Sequence, residues 1–266
     1  MNWGKMKTLF IYLFVALNAV LLTFYIYTVQ KNKTEIVQEK EIIERSMKND
    51  NITVEENATK RDNLGYVNVT ISDLKDIRKE DSGLKYEVEN VDKTSTLKVS
   101  SENTITNVNK GSYRAELDSF LLEKMKLSAN YIFSSYNSSK NEVIFEQQID
   151  SFRVFSNKNA RIVFSVESNG DIKNFTLTSV SNIRKDKNET LVPSSQAINR
   201  LYHEDLIPKN CRVRTTLGYY TYISQTENQV LIPTWNVEIS DKDGQISNYY
   251  VDAINLNVLN RKGHSS

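Results

Sequence analysis

The chain has 266 residues, with 34 Lys and Arg against 33 Asp and Glu and a formal net charge of +1, so no strong field recruits nucleic acid or an anionic surface. A single cysteine, Cys211, excludes an intramolecular disulfide framework, and the two histidines, His203 and His264, are too few to complete a zinc site with it. With 39% hydrophobic and 10% aromatic residues, the chain can build a core sized for one large domain or two small ones.

From Thr8 to Val29 the chain carries no charge. At a helical rise of about 1.5 Å per residue this run spans roughly 33 Å, enough to cross a bilayer core. A cleavable signal peptide is the alternative, but the run exceeds the usual h-region and no small-x-small cleavage site follows it. The expectation is a cytoplasmic tail (1–7), a transmembrane helix (8–29) and a large domain outside the cell. The Lys/Arg count is nearly tied between the two flanks: Lys5 and Lys7 precede the span, and Lys31 and Lys33 follow it. The short tail decides the orientation. Asn18 sits near the bilayer centre on one helix face with Ile11, Phe14, Leu22 and Tyr25, a face expected to pair with another transmembrane helix.

Residues 30–63 turn to Lys, Glu, Asn and Thr, with sparse apolar spacing at Ile36, Ile43 and Met47. They read as a charged stalk, helical to about Met47, and then a linker. Two α+β subdomains are expected next, 64–188 and 189–260, before a tail at 261–266. In the first, alternation marks strands at 66–71, 84–88 and 96–99. Ser112 then caps a helix whose apolar side is Ala115, Leu117, Phe120, Leu121, Leu122 and Met125. Strands follow at Ala129–Tyr136, Glu142–Ile149, Ala160–Glu167 and Ile172–Ile183. Asn169-Gly170 between the last two is a hairpin turn. In the second, Pro193 and Ser194 open a helix with Ala197, Ile198, Leu201, Tyr202 and Leu206 inward. Strands Arg212–Gln225, Gln229–Ser240 and Gln245–Leu259 complete it, with Asp243-Gly244 turning the last hairpin.

The order of strands, helix, meander, helix, meander defines an α+β fold of antiparallel sheets, each packed with a helix. An internal duplication is also expected. Residues 169–175 parallel 243–249, and Phe164–Glu167 parallel Trp235–Glu238.

No nucleophile elbow, metalloprotease helix, phosphate loop or dinucleotide fingerprint is present. His203 beside Glu204 and Asp205 reads as a surface histidine, since adjacent helical residues point in different directions. Neither catalytic residues, metal nor cofactor are expected. An aromatic cluster at Tyr219, Tyr220, Tyr222, Trp235, Tyr249 and Tyr250 reads as core and cross-strand packing. A residual exposed face would be available for contact.

Several segments together resemble the YycI family. They are Met1-Asn2-Trp3 leading into residues 7–11, Phe145-Glu146-Gln147, Phe155-Ser156-Asn157, Ala197–Tyr202, Leu217-Gly218-Tyr219-Tyr220, Val230–Trp235 with Pro233, and Tyr249–Ile254. The resemblance is strong from about 142 to 259 and weak from 30 to 110. It marks Leu217, Gly218, Tyr219, Tyr220, Pro233, Trp235 and Tyr250 as family positions, mostly structural. It implies a single-pass regulator of Gram-positive bacteria with its folded domain outside the cell. Such proteins associate with YycH, a similarly anchored membrane protein, and with the WalK (YycG) sensor histidine kinase. Together they tune a two-component system governing cell-wall metabolism. Two other readings compete: an anchored module that binds a cell-envelope component, and a tethered hydrolase, which requires a convergent polar cleft.

Overall fold

A computed structural model describes residues 3–55, 63–75, 83–91, 94–127, 130–221, 227–260 and 264–265, with side chains left undescribed at 3–5, 29–40 and 264–265. Tyr222 of the aromatic cluster and the Ile36 side chain of the stalk therefore lie outside the described residues. The chain forms two compact units, Met1–Thr53 and Val54–Ser266.

The first unit is dominated by one helix, α1 (Trp3–Asn49). Its segment Met6–Thr28 has a mean hydropathy of 2.3 and is long and apolar enough to cross a membrane. Three polar side chains within it turn back onto the helix. Asn18 Nδ2 donates to the Phe14 carbonyl at 2.8 Å, and the Thr23 and Thr28 hydroxyls donate to Ala19 and Phe24 at 2.8 and 2.9 Å. Such back-bonding meets part of their hydrogen-bonding need without a neighbour.

In the second unit the elements run β1 (Thr53–Glu55), β2 (Asn63–Leu64), β3 (Val67–Ile71), β4 (Leu84–Val91), β5 (Thr94–Ser101), β6 (Thr106–Asn107) and α2 (Tyr113–Phe120). A π-helical turn, Leu121–Met125, extends α2. Then come β7 (Asn130–Asn137), β8 (Glu142–Ile149), β9 (Phe152–Phe155), β10 (Arg161–Val166), β11 (Asp171–Leu177), β12 (Val180–Lys185), β13 (Glu189–Thr190) and α3 (Ser194–His203). Last are β14 (Arg212–Tyr220), β15 (Asn228–Ser240), β16 (Ile246–Asp252) and β17 (His264–Ser265). The fold is α+β, with a few helices on a large, mostly antiparallel sheet.

Strand order along the main sheet is β12-β3-β15-β14-β9-β8-β10-β11-β5-β4, with β7 added on β8 and β16 on β15. The β9–β14 pairing is parallel, and it joins strands from the two halves of the sequence. β3 crosses the same divide by pairing with β15 over Val67–Thr70.

The core under α2 gathers Leu97, Val99, Leu117, Leu121, Met125, Val143, Phe145, Phe164, Phe175 and Leu177. Leu117, Leu121 and Met125 lie at i, i+4, i+8 and are buried, whereas Leu122 is 73% exposed and Ala115 is also outside the core. The inward face of this helix is narrower than its composition indicated. Ser112 stands at the helix start without capping it; its hydroxyl donates to Glu116 Oε1 at 2.6 Å.

Three strands differ from expectation. The run 245–259 ends at Asp252, whose Oδ1 accepts from the Ile254 and Asn255 N–H groups and turns the chain. The run 172–183 divides at Thr178–Ser179. There the Thr178 hydroxyl bonds the Lys158 and Arg161 carbonyls, and the chain leaves β5 to pair with β3. β9 was not foreseen, because its hairpin with β8 turns on Asp150 and Ser151, at φ 50° and 70°, with no glycine to announce it. The ladder also bears on the duplication. Phe175 pairs with Phe164, whereas Tyr249 pairs with Val237 and Trp235 with Val251. The upstream half of that alignment is therefore displaced by two residues.

Candidate functional site

Along β8, Val143 and Phe145 enter the core while Ile144 and Glu146 turn to the other face, as strand alternation requires. That face holds a cleft of about 590 Å³. β7 contributes Phe133 to Asn137, and β9 contributes Arg153, Phe155 and, just beyond the strand, Ser156. Asn236 and Glu238 come from β15, Gly244 and Gln245 from the following turn, and Asn248 and Tyr250 from β16. Arg114, Lys140 and Arg161 complete its charged lining. A convergent polar cleft is thus present, where scattered acids in the sequence gave no sign of one.

Glu146 is its centre. The side chain is buried, and its carboxylate accepts from the Ser156 backbone N–H at 2.7 Å and the Ser134 hydroxyl at 3.0 Å, with Arg153 Nε at 3.7 Å. Burial pushes the carboxyl group above the usual carboxylate range. Arg153, the Ser156 N–H, Ser134 and Arg161 pull the other way and hold the shift in check. Local geometry delivers both donors. The β7–β8 register slips between Phe133 and Ser135, so Ser134 is the extra residue of a bulge, a device that re-aims a side chain. Ser156 has φ 49°, a left-handed conformation that turns its N–H onto Glu146.

Aromatic packing braces the same corner. Tyr250 stacks between Phe155 (centroids 5.6 Å apart) and Tyr220 (4.6 Å), and its hydroxyl meets Ser156 Oγ at 2.8 Å. Burial raises the Tyr250 pKa far above its ordinary value, so the phenol stays neutral. Gly218 on β14 is there because a Cβ would lie 2.5 Å from the Arg153 carbonyl oxygen and 2.5 Å from the Phe155 ring. Arg153 donates Nη2 to the Phe133 carbonyl at 3.0 Å, and Arg114 lies over the Phe133 ring at 4.1 Å.

Two groups in the lining are not engaged in this way. Asn236 is 8% exposed, and its Oδ1 has no hydrogen-bond partner, an arrangement native structures rarely tolerate. Arg161 and Lys140 make no side-chain hydrogen bond or ion pair among the described residues. No group of three or more His, Cys, Asp or Glu converges among those residues. Ser134 reaches Glu146, but the second lining carboxylate, Glu238, comes from the far strand β15.

The family positions sort by face. Leu217 and Tyr219 are buried, Tyr219 edge-on to Phe152 at 6.2 Å. Trp235 is buried and donates Nε1 to the Val192 carbonyl at 2.8 Å, holding the approach to α3, and the Pro233 carbonyl accepts from Ala253 N–H. Gly218, Tyr220 and Tyr250 instead build the cleft corner. In Phe145-Glu146-Gln147, the Phe enters the core and the Glu faces the cleft. Gln147 clamps the Val180 backbone through both amide ends, at 2.9 Å each. In Phe155-Ser156-Asn157, Asn157 bonds Thr221 and Gln229 at 3.0 and 2.8 Å. The short motifs carried the signal for the cleft, but their chemistry was invisible until the strands were paired. On α1, Ile11, Phe14, Asn18, Leu22 and Tyr25 are exposed, as are the residues on every other face of the segment Met6–Thr28.

An N-terminal helix long and apolar enough to cross a bilayer, followed by a folded α+β domain, is the organisation of a single-pass anchored protein. The chain belongs to the YycI family: the family described as YycI protein matches residues 30–254, and its members act in regulation of the YycFG (WalKR) two-component system. No curated protein matches the chain. Among solved structures, an uncharacterized protein from Eubacterium rectale ATCC 33656 is similar with a TM-score of 0.47 at 9% identity, covering 79% of this chain and 90% of that one. The Bacillus megaterium YpeB C-terminal domain gives 0.41 at 13% identity, covering 86% and 96%. Neither likeness carries a functional argument.

Proposed function

We propose that this protein is a membrane-anchored accessory regulator of a WalK-type sensor histidine kinase controlling cell-wall metabolism, with its short tail cytoplasmic and its α+β domain outside the cell. It works through transmembrane and outer-domain contacts with a YycH-like protein and the kinase. Family membership over residues 30–254 carries this reading; for the transmembrane part the face Ile11, Phe14, Asn18, Leu22 and Tyr25 is chosen by its helical spacing about the single amide of the span. A regulator biases a kinase by binding its on and off states with different affinities. A helix face that is apolar apart from one amide gives such a contact both packing and register. Co-immunoprecipitation of the kinase with the full-length protein in mild detergent tests the proposal. Recovery of the kinase is expected, reduced by Asn18→Leu, and absence of any complex sinks it. The common order of a helix followed by antiparallel strands, α2 with β7, β8, β10 and β11 and α3 with β14–β16, supports an origin of the two subdomains by duplication.

The cleft favours a second reading, in which the outer domain binds a cell-envelope component. Its support is the buried, unpartnered Asn236 oxygen in a lining that also carries Lys140 and Arg161, neither side chain held in a hydrogen bond or ion pair among the described residues.

A further inference from the structure

We infer that the cleft on the Glu146 face binds an extended, carboxylate-bearing peptide segment, with Arg161 and Lys140 meeting its carboxylates and Asn236 accepting a backbone N–H. This deepens the ligand-binding reading and rests on it.

Charge comes first. The lining presents four cationic side chains, Arg114, Lys140, Arg153 and Arg161, against two carboxylates, Glu146 and Glu238. Arg153 is occupied by Glu146 and the Phe133 carbonyl, and Arg114 by an aromatic face. Arg161 acts on Glu146 only through space, and neither it nor Lys140 holds a side-chain hydrogen bond or ion pair among the described residues, so the surplus falls on the two side chains able to meet an anion. Hydrogen bonding comes second. Asn236 Oδ1 is a buried acceptor that requires a donor. A phosphate dianion or a simple carboxylate satisfies the cations and supplies no N–H or O–H, whereas a neutral sugar does the reverse. A peptide with acidic side chains supplies both, as does an acidic saccharide, and the backbone of β7 decides between them. Backbone geometry comes third. Among the described residues β7 is paired only with β8, and in an antiparallel ladder alternate residues of an edge strand turn their N–H and C=O outward. Ser135–Asn137 both line the cleft and belong to that edge, which suits strand addition.

The test uses full-length protein in lipid nanodiscs and fluorescence anisotropy with a labelled alternating Glu–Thr peptide. A Lys–Thr peptide and a glucuronate oligosaccharide are run beside it. The Glu–Thr peptide is expected to bind, and the Lys–Thr peptide not. Arg161→Ala and Lys140→Ala should each weaken binding by about fivefold or more at low salt, and the loss should shrink as salt rises. Asn236→Leu should weaken binding without that salt dependence. Lys140 is exposed, so its variant keeps the test meaningful if Arg161→Ala fails to fold. Equal binding of both peptides, or no change in Lys140→Ala, overturns the assignment. If the glucuronate binds and the peptide does not, the peptide falls and the ligand-binding reading stands; if neither binds, both fall.

Discussion

Ser156 Oγ and Tyr250 Oη lie 2.8 Å apart although 94 residues separate them in sequence. The bond ties β16 to the end of β9, and the Ser156 N–H simultaneously holds Glu146. One residue in a left-handed conformation thus links an aromatic stack to a buried carboxylate. Backbone in that region costs a non-glycine residue about 1 kcal/mol or more, and the two bonds offset the cost.

Tyr250→Phe keeps the stack on Tyr220 and Phe155 and removes only the hydroxyl bond. It should cost about 1 kcal/mol in urea unfolding. Tyr250→Ala removes the ring as well and should cost about 3–5 kcal/mol. Similar losses for the two would mean that stacking contributes little.

Ser156→Ala and Ser156→Gly both delete the hydroxyl bond, but only the glycine variant relieves the backbone at φ 49°. Ser156→Gly should therefore be the more stable of the two, by about 0.5–1 kcal/mol. The reverse order in parallel denaturant titrations would show that the left-handed backbone is unstrained in this setting.

Gly218→Ala places a methyl group 2.5 Å from the Arg153 carbonyl oxygen. Backbone cannot yield as a flexible side chain can, so a loss of about 1–3 kcal/mol is expected. A companion change, Phe155→Leu, frees the ring side only and should recover little of it. Full recovery in the double variant would locate the clash in the ring instead.

Much of the architecture was legible because its signals are local. The uncharged run at 8–29, the Asn169-Gly170 and Asp243-Gly244 hairpins and the i, i+4 face of α3 depend on residues close in sequence. The cleft was not, because its groups converge from β7, β8, β9, β15 and β16 through pairings that no spacing encodes. Ser134 looks like any serine in an alternating strand until a bulge turns it onto Glu146. Glu146 in turn looks like an ordinary outward acid between two inward residues. Asp150-Ser151 lacks the Asn-Gly signature of a tight turn, so β9, which carries Arg153 and Phe155, went unseen. The family motifs were the nearest thing to a signal, and alternation alone shows that Phe145 and Glu146 must part company.

Glu146 should make stability depend on pH with an unusual sign. Burial favours the neutral acid in the folded chain, so its folded pKa lies above the ordinary 4.5. The folded state therefore holds this proton more tightly than the unfolded state does. The group's stabilising contribution is full below pH 4.5 and is lost as pH rises through the folded pKa. Most surface carboxylates with partners behave in the opposite way, so the comparison must be made against a variant that differs at this group alone. Glu146→Gln keeps an acceptor for the Ser156 N–H and the Ser134 hydroxyl, loses the charge beside Arg153, and does not titrate. The stability of Glu146→Gln relative to the parent should rise with pH above 4.5 and then level off, read from urea midpoints across a pH series. A difference that stays flat would mean the carboxyl group titrates alike folded and unfolded. A difference that falls would mean Arg153 and the two donors outweigh burial.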